Sequence, residues 1–119
     1  MNKDIIDVDD VLERVQDDRE LLLELLDIFE EDYLEKRQKL QEFIEQEDFE
    51  QIRNLIHSIK GASGNISARA FHATCAQIEQ WVEKNDMPRI KGDLSKLDQQ
   101  FTELRQYIIK LKQKFKTSI

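Results

Sequence analysis

The sequence has few of the residues that break helices or cross-link a chain. Among its 119 residues are three glycines, one proline and one cysteine. A single cysteine excludes an internal disulfide and suits a reducing compartment, and the scarcity of glycine and proline disfavours a turn-rich β-fold. No apolar run approaches the ~18 residues of a membrane span. We therefore expect a helical, cytoplasmic protein that has no membrane partner.

The charge balance excludes a second group of functions. Charged residues make up 36% of the chain, hydrophobic residues make up 39%, and the formal net charge is −7. An acidic protein is repelled by the phosphates of nucleic acids, so we expect no nucleic-acid partner. A chain of 119 residues fits one domain, which we take to span residues 1–119.

Apolar residues recur at the three-and-four spacing of amphipathic helices along most of the chain. Capping boxes, in which an acidic residue is followed three residues later by Glu or Gln, mark helix starts at Asp17 and Asp48. Pro88 suits the first turn of another helix. These signals predict five helices: one over about 9–16, one that follows Asp17 and runs to about 46, one that follows Asp48, one over about 67–84 and one that begins near Pro88.

Local patterns give three further expectations about these helices. Residues 63–67 should form a bend after the third helix, and Ser67 should act as the N-cap of the fourth. Lys36 and Arg37 interrupt the apolar stripe of the second helix, so we expect that helix to leave the core there.

The last predicted helix has the most regular pattern, a heptad seam with alternating spacings of three and four residues. Short connections favour antiparallel neighbours, so the predicted fold is all-α, an antiparallel four-helix bundle with an additional short N-terminal helix. We expect a monomer. The competing hypothesis is a phosphate-independent interaction module that dimerises through the seam. The seam consists of Leu94, Leu97, Phe101, Leu104, Ile108, Leu111 and Phe115.

His57 departs from the apolar pattern of its own helix. On a wheel of about 100° per residue the apolar side chains cluster on one side, and His57 falls nearly opposite them. Its ring should therefore lie in water. The apolar side chains that define the stripe are Ile52, Leu55, Ile56, Ile59 and Ile66.

A lysine and two glycines share the face of His57. Lys60 and Gly61 follow it by three and four residues, and Gly64 lies one turn further along. Each glycine costs a helix interior about 1 kcal/mol relative to alanine, so its presence needs a reason. Glycines clear the approach of a large partner, and Lys60 offers positive charge where a transferred phosphoryl group would lie. The alternative is an ordinary surface histidine beside glycines that merely end the helix.

The stretch His57-Ser58-Ile59-Lys60-Gly61-Ala62-Ser63 resembles the phosphorylation motif of histidine-containing phosphotransfer (HPt) domains, His-x-x-Lys-Gly-x-Ser/Ala. The resemblance extends to the acidic helix before the motif and the amphipathic helix after it. One position departs from it, because the family often has glycine where this chain has Ser67.

The resemblance implies a phosphocarrier of a two-component phosphorelay with no kinase activity of its own. His57 would accept a phosphoryl group from the aspartate of a receiver domain and pass it to another receiver, with charge compensation by Lys60. Gly61 and Gly64 would allow the receiver to approach. The chain would need no cofactor, since Mg²⁺ belongs to the receiver. The partners would be response-regulator receivers and a hybrid sensor histidine kinase, and direct phosphorylation by a histidine kinase remains an alternative.

Glu79 is the second candidate site residue. It lies at the edge of the apolar seam of the fourth helix, from which its carboxylate would hold His57 in the tautomer that leaves Nε2 free. The resembling family often has Glu or Gln at this place. The alternative is a solvated carboxylate paired with Lys84 or Arg53.

Other chemistry has little support in the sequence. His72 and Cys75 lie three residues apart on one helix, but a metal site needs further ligands that the sequence does not supply. We therefore expect no metal site, with Cys75 in the core and His72 at its boundary. The sequence contains no glycine-rich phosphate-binding loop, so ATP alone is not an expected ligand.

Overall fold

The computed structural model describes residues 2–117, which form five α-helices and no β-strand. All five predicted helices are present, although the first begins and ends slightly earlier than its periodicity indicated. No helix in this part of the chain combines the length and apolar character needed to cross a membrane. The helices are α1 (Val8–Arg14), α2 (Arg19–Glu45), α3 (Phe49–Asn65), α4 (Arg69–Glu83) and α5 (Met87–Thr117).

Aspartates start four of these helices. The carboxylates of Asp7, Asp18, Asp48 and Asp86 each accept a hydrogen bond from the backbone N–H three residues later. The predicted cap at Asp48 is confirmed, whereas the one predicted at Asp17 is wrong by one residue. An N-cap needs extended backbone, which Asp18 has at φ −78° and ψ 94°. Asp17 instead has a positive φ of 62° and belongs to the preceding turn.

The short connections between helices turn through non-glycine residues in the left-handed region. This conformation is strained for a side chain with a Cβ and is normally given to glycine. The three glycines instead lie inside α3 and α5, where they weaken a helix. The glycines therefore do not form the turns between helices, and their positions need another explanation. The left-handed residues are Gln16, Asp17, Glu47, Ser67 and Asn85, with φ between 52° and 62°.

The turn between α3 and α4 differs from the expected bend over residues 63–67. α3 continues to Asn65, and Ser67 has a positive φ of 53°, so the N-cap position falls to Ala68. The Ser67 hydroxyl donates to Asp10 of α1 and accepts a hydrogen bond from Arg14. The bond from Ser67 lowers the pKa of the Asp10 carboxyl. Ser67 therefore ties α1 to this turn and does not cap α4.

The expectation that α2 leaves the core at Lys36 and Arg37 is wrong. Leu40 and Ile44, further along the helix, are both buried. Arg37 does not project into solvent, because its guanidinium forms a two-bond ion pair with Asp98 of α5. A charged side chain can occupy a stripe position without ending the buried face when a partner helix supplies the opposite charge.

Aromatic side chains from three helices meet at the centre of the core. Tyr33 of α2 packs against Phe71 of α4 and Phe101 of α5, with ring centroids 5.3 and 4.4 Å apart. The predicted seam of α5 is confirmed, since its side chains are buried from Leu94 to Leu111 and Phe115 is partly buried. The apolar side chains that would mediate dimerisation through this seam are therefore used within the chain.

The four longer helices pack most extensively against their neighbours in the cyclic order α2, α3, α4, α5. Asp27 of α2 pairs with Lys112 near the end of α5, and Tyr33 pairs with Asp98 nearer its start. The chain direction of α5 is therefore opposite to that of α2. α1 packs against α2.

Candidate functional site

His57 lies in the middle of α3 on the side that faces away from the core. The buried positions of α3 are Ile52, Ile56, Ile59 and Ser63, whereas the His57 side chain is 72% exposed. The helical wheel predicted that the ring lies in water, and the structure places it there. An imidazole with this exposure is within reach of a large partner.

Glu79 comes to His57 from α4. Its Oε2 lies 3.5 Å from His57 Nδ1, an ion-pair contact longer than the roughly 2.7–3.2 Å of an ordinary N–H···O hydrogen bond. A carboxylate can only accept, so this contact favours the tautomer with hydrogen on Nδ1 and a free lone pair on Nε2. The Glu79 side chain is only 22% exposed, which places a carboxylate charge beneath the ring.

Lys60 lies on the other side of the same carboxylate. Its Nζ is 2.6 Å from Glu79 Oε1, and both side chains are largely covered. Oε1 is buried and, among the residues described, has no donor aligned with it, so the contact is an ion pair without hydrogen-bond geometry. The sequence suggested Lys84 or Arg53 as the alternative partner of Glu79, and the structure gives that place to Lys60.

Gly61 opens the surface beside His57. A Cβ built on Gly61 would have no atom of the described residues within 4 Å. The residue is helical with no positive φ, so the alternative in which it ends the helix is wrong. Any larger side chain here would project into the space in front of α3.

Gly64 has a different environment from Gly61. A Cβ at Gly64 would lie 3.5 Å from His72 Nδ1 and 3.6 Å from His72 Cε1. The residue therefore packs against α4 and does not face open space. The sequence grouped the two glycines as one cleared approach, but only Gly61 has the open surroundings that this requires.

His72 contacts the α3 backbone at Lys60. Its Nδ1 is 3.0 Å from the Lys60 carbonyl oxygen, and the Ser63 hydroxyl donates to the same oxygen over 2.7 Å. The sequence placed His72 at the core boundary and assigned it no function. Its spacing of two turns from Glu79 was a usable signal, because residues so spaced share a helix face.

Lys36 and Ser58 form a further polar cluster next to His57. Lys36 Nζ of α2 donates to Ser58 Oγ over 2.6 Å and to Asp32 Oδ2 over 2.8 Å. No spacing in the sequence indicates this contact, since Lys36 and Ser58 lie on different helices. Lys36 is a second cation that contacts α3, through the residue after His57, and it is already paired with a carboxylate.

Two other residues that could take part in chemistry, Cys75 and Trp81, are instead packed in the core or at its edge. Burial, with a smaller contribution from the charge of Glu79, raises the pKa of the Cys75 thiol to about 12. Within residues 2–117, no three His, Cys, Asp or Glu side chains converge as a metal site would require. Trp81 packs at the edge of the core, where its Nε1 donates to Asp93 over 2.7 Å.

Comparison with known proteins links this geometry to a family. Residues 24–113, which include His57, Lys60 and Glu79, match the family model described as the Hpt domain. A crystal structure of histidine-containing phosphotransfer protein B (HptB) from Pseudomonas aeruginosa PAO1 is similar, with 25% sequence identity and a TM-score of 0.79. The match covers 89% of this chain and 93% of that one. A search among curated proteins found no match.

Proposed function

The chain belongs to the Hpt domain family, and on that premise we propose that it is a phosphocarrier of a phosphorelay. In this proposal His57 accepts a phosphoryl group from the aspartate of one receiver domain and passes it to the aspartate of another. The observation that carries the proposal is the exposed His57 ring, whose Nδ1 faces the Glu79 carboxylate while Nε2 is left for a partner.

The proposed step needs no proton to move on this chain. The Nε2 lone pair attacks phosphorus, the bond from phosphorus to the aspartyl oxygen breaks, and the carboxylate leaves with the bonding electrons. Nδ1 keeps its hydrogen, so the ring gains positive charge as the N–P bond forms. Glu79 lies where it stabilises that charge, because its Oε2 is 3.5 Å from Nδ1.

Lys60 supplies the nearby positive charge. In the unphosphorylated protein its ammonium pairs with the largely covered carboxylate of Glu79 at 2.6 Å. A phosphoryl group on His57 adds negative charge to the same neighbourhood, and Lys60 is the cation available within this cluster to offset it. We propose both roles for Lys60, in sequence.

The partner contributes the remaining chemistry. We propose that Mg²⁺ and the carboxylates that bind it belong to the receiver, which approaches over the open surface at Gly61. The chain would then bind its partners as a single domain and as a monomer. The burial of the α5 seam supports this, since dimerisation through that seam would require the core to open.

We also propose that the four longer helices form an antiparallel bundle with α1 beside it. The cyclic order of helix contacts and the opposed directions of α2 and α5 support this arrangement. It places His57 on the middle of one helix, away from the helix ends and from the short turns.

The test is transfer of radiolabelled phosphate from a phosphorylated receiver domain. We expect the protein to take up label that is lost in acid and kept in base, as a phosphoramidate requires. ATP without a kinase should give no label. Label that arrives only when a histidine kinase and ATP are supplied would favour direct phosphorylation, and failure of both routes would favour the interaction module.

A further inference from the structure

His72 has no part in the function proposed above, although it lies beside the site. It is on α4, two helical turns before Glu79 and on the same face. Its Nδ1 lies 3.0 Å from the Lys60 carbonyl oxygen and 3.4 Å from Ser63 Oγ. A carbonyl oxygen cannot donate, so His72 Nδ1 carries the hydrogen.

The turn of α3 that His72 contacts is the weakest part of that helix. Gly61 and Gly64 both lie within it, and glycine is the poorest helix former after proline. The His72 ring lies against Gly64, at the distance of ordinary packing from where its Cβ would be. The hydrogen bonds from His72 and Ser63 to the Lys60 carbonyl reinforce the helix at this turn.

α4 therefore holds Lys60 at two points. His72 binds its main-chain oxygen, and Glu79 binds its ammonium at 2.6 Å. The main-chain position of Lys60 determines where its side chain begins, and Lys60 in turn fixes one oxygen of Glu79. A loosened glycine turn would disturb Lys60, then Glu79, and then the contact of Glu79 with His57.

We propose that His72 is a positioning residue for phosphoryl transfer, a proposal that rests on the function proposed above. By donating from Nδ1 to the Lys60 carbonyl, it keeps the glycine turn helical and holds Lys60 and Glu79 in place beside His57.

Three variants of the full chain test the role in transfer. His72→Ala removes the donor, His72→Asn restores an N–H at the place of Nδ1, and Thr102→Ala is the matched control because Thr102 also donates to a helix carbonyl, that of Asp98. The readout is the initial rate of phosphoryl transfer from a receiver domain labelled with acetyl phosphate. We expect a rate about tenfold lower in His72→Ala, with His72→Asn and Thr102→Ala within about twofold of wild type.

Amide hydrogen exchange provides a second readout that needs no phosphoryl group. In His72→Ala the amides of residues 61–64 should exchange about tenfold faster than in wild type, while the amides of α5 keep their rates. Adding Gly64→Ala to His72→Ala should restore protection and recover part of the transfer rate. Alanine strengthens the helix, and its Cβ occupies space that the ring has left.

The two readouts separate this proposal from the one it rests on. If the wild-type protein accepts no label, the proposed function fails and the role of His72 in transfer fails with it. If the wild type accepts label and His72→Ala transfers at the same rate, only the His72 proposal is overturned. A His72→Asn variant as slow as His72→Ala would also overturn it, because the donated hydrogen bond would then not be the cause.

Discussion

Two clusters in this protein are built from the same kinds of group, but they differ in how completely their carboxylate is hydrogen-bonded. Between α2 and α5, the Asp98 carboxylate accepts a hydrogen bond from Tyr33 Oη at 2.8 Å and two from Arg37, at 3.0 and 3.1 Å. Between α3 and α4, the Glu79 carboxylate faces a ring nitrogen of His57 and the ammonium of Lys60. Each cluster joins two helices through one carboxylate, one cation and one ring.

The Asp98 cluster is closed by aligned bonds, and the Glu79 cluster is not. Arg37 offers a planar fork that engages both oxygens of Asp98, whereas the Lys60 ammonium is a point charge that reaches one oxygen of Glu79. His57 stays 3.5 Å from the other oxygen and is largely in water. The Asp98 carboxylate, hydrogen-bonded through both oxygens, holds two helices together. Within the described residues the Glu79 carboxylate lacks aligned hydrogen bonds, so it can still stabilise the positive charge that forms on the His57 ring during transfer.

The largest effect is expected at the acceptor of the Glu79 cluster. His57→Gln should abolish label uptake, because no nucleophilic nitrogen remains, and should leave helical content unchanged because the side chain is 72% exposed. Radiolabel transfer and circular dichroism measure the two effects. If label survives in His57→Gln but disappears in His72→Gln, the acceptor is His72 and the assignment of His57 is wrong.

A side chain added at Gly61, on the open surface beside His57, should slow transfer without destabilising the fold. Gly61→Gln should slow transfer about a hundredfold, since the receiver can no longer close on the ring, while helix propensity makes the protein more stable by up to about 1 kcal/mol.

Gly92→Gln is the matched control for Gly61→Gln. Gly92 also lies in a helix, and a Cβ there has no atom of the described residues within 4 Å. This variant should gain similar stability and transfer at the wild-type rate. Loss of transfer in both variants would mean that the open surface at Gly61 is not what partners need.

Removing the two carboxylates should give opposite results. Asp98→Ala leaves the hydroxyl of Tyr33 and the guanidinium of Arg37 without their acceptor, and we expect a loss of about 2 kcal/mol in unfolding free energy, limited by partial exposure of Asp98. Transfer by the folded variant should be unchanged. Glu79→Ala should slow transfer and cost under about 1 kcal/mol. Urea denaturation and transfer kinetics on both variants decide this, and a reversed pattern would refute the comparison.

Alkaline pH should weaken the fold through groups near both clusters. Burial raises the pKa of Cys75 to about 12 from 9.0, and burial together with the charge of Asp98 raises the pKa of Tyr33. Both groups ionise first in the unfolded chain, so their contribution is complete below pH 9 and is lost as pH rises. Stability should fall by up to about 1.4 kcal/mol per pH unit for each group, from about pH 9 for Cys75 and from about pH 10 for Tyr33.

Urea midpoints measured from pH 8 to pH 10.5 test this expectation. Cys75→Ala should flatten the curve most near pH 9, where Cys75 ionises in the unfolded chain and Tyr33, with an ordinary pKa of 10.0, is still mostly protonated in both states. A curve that keeps its slope in Cys75→Ala would assign the loss to other groups.

The smallest effect is expected at Glu47, which belongs to neither the Asp98 cluster nor the Glu79 cluster. Glu47 turns the chain between α2 and α3 with a φ of 54°, which strains a residue that has a Cβ. Glu47→Gly should raise the unfolding free energy by about 0.5 kcal/mol, because relief of strain exceeds the added freedom of the unfolded chain. Urea denaturation measures the change, with Glu47→Ala as the control that keeps the strain. A gain in both variants would place its origin in lost charge repulsion.

Sequence reasoning succeeded for features that repeat along one helix. The apolar spacing gave five helices, the α5 seam and the exposure of His57, because a helix fixes the angle between residues three and four apart. It failed at Asp17, Ser67 and Arg37, where the outcome depends on how the chain turns or on what another helix provides. The αL turns in particular carry no glycine, so the usual signal for them is missing.

By itself, then, the sequence determined the helices, the side of α3 on which His57 lies and the motif that marks the family. Only the tertiary structure decided that Lys60 pairs with Glu79, that His72 holds the Lys60 carbonyl, that Gly61 is open while Gly64 lies against His72, and that Arg37 pairs with Asp98 across two helices. The reason is physical. Spacing along a helix follows from its own geometry, whereas the axial register and rotation of two packed helices follow from how all core side chains fit together.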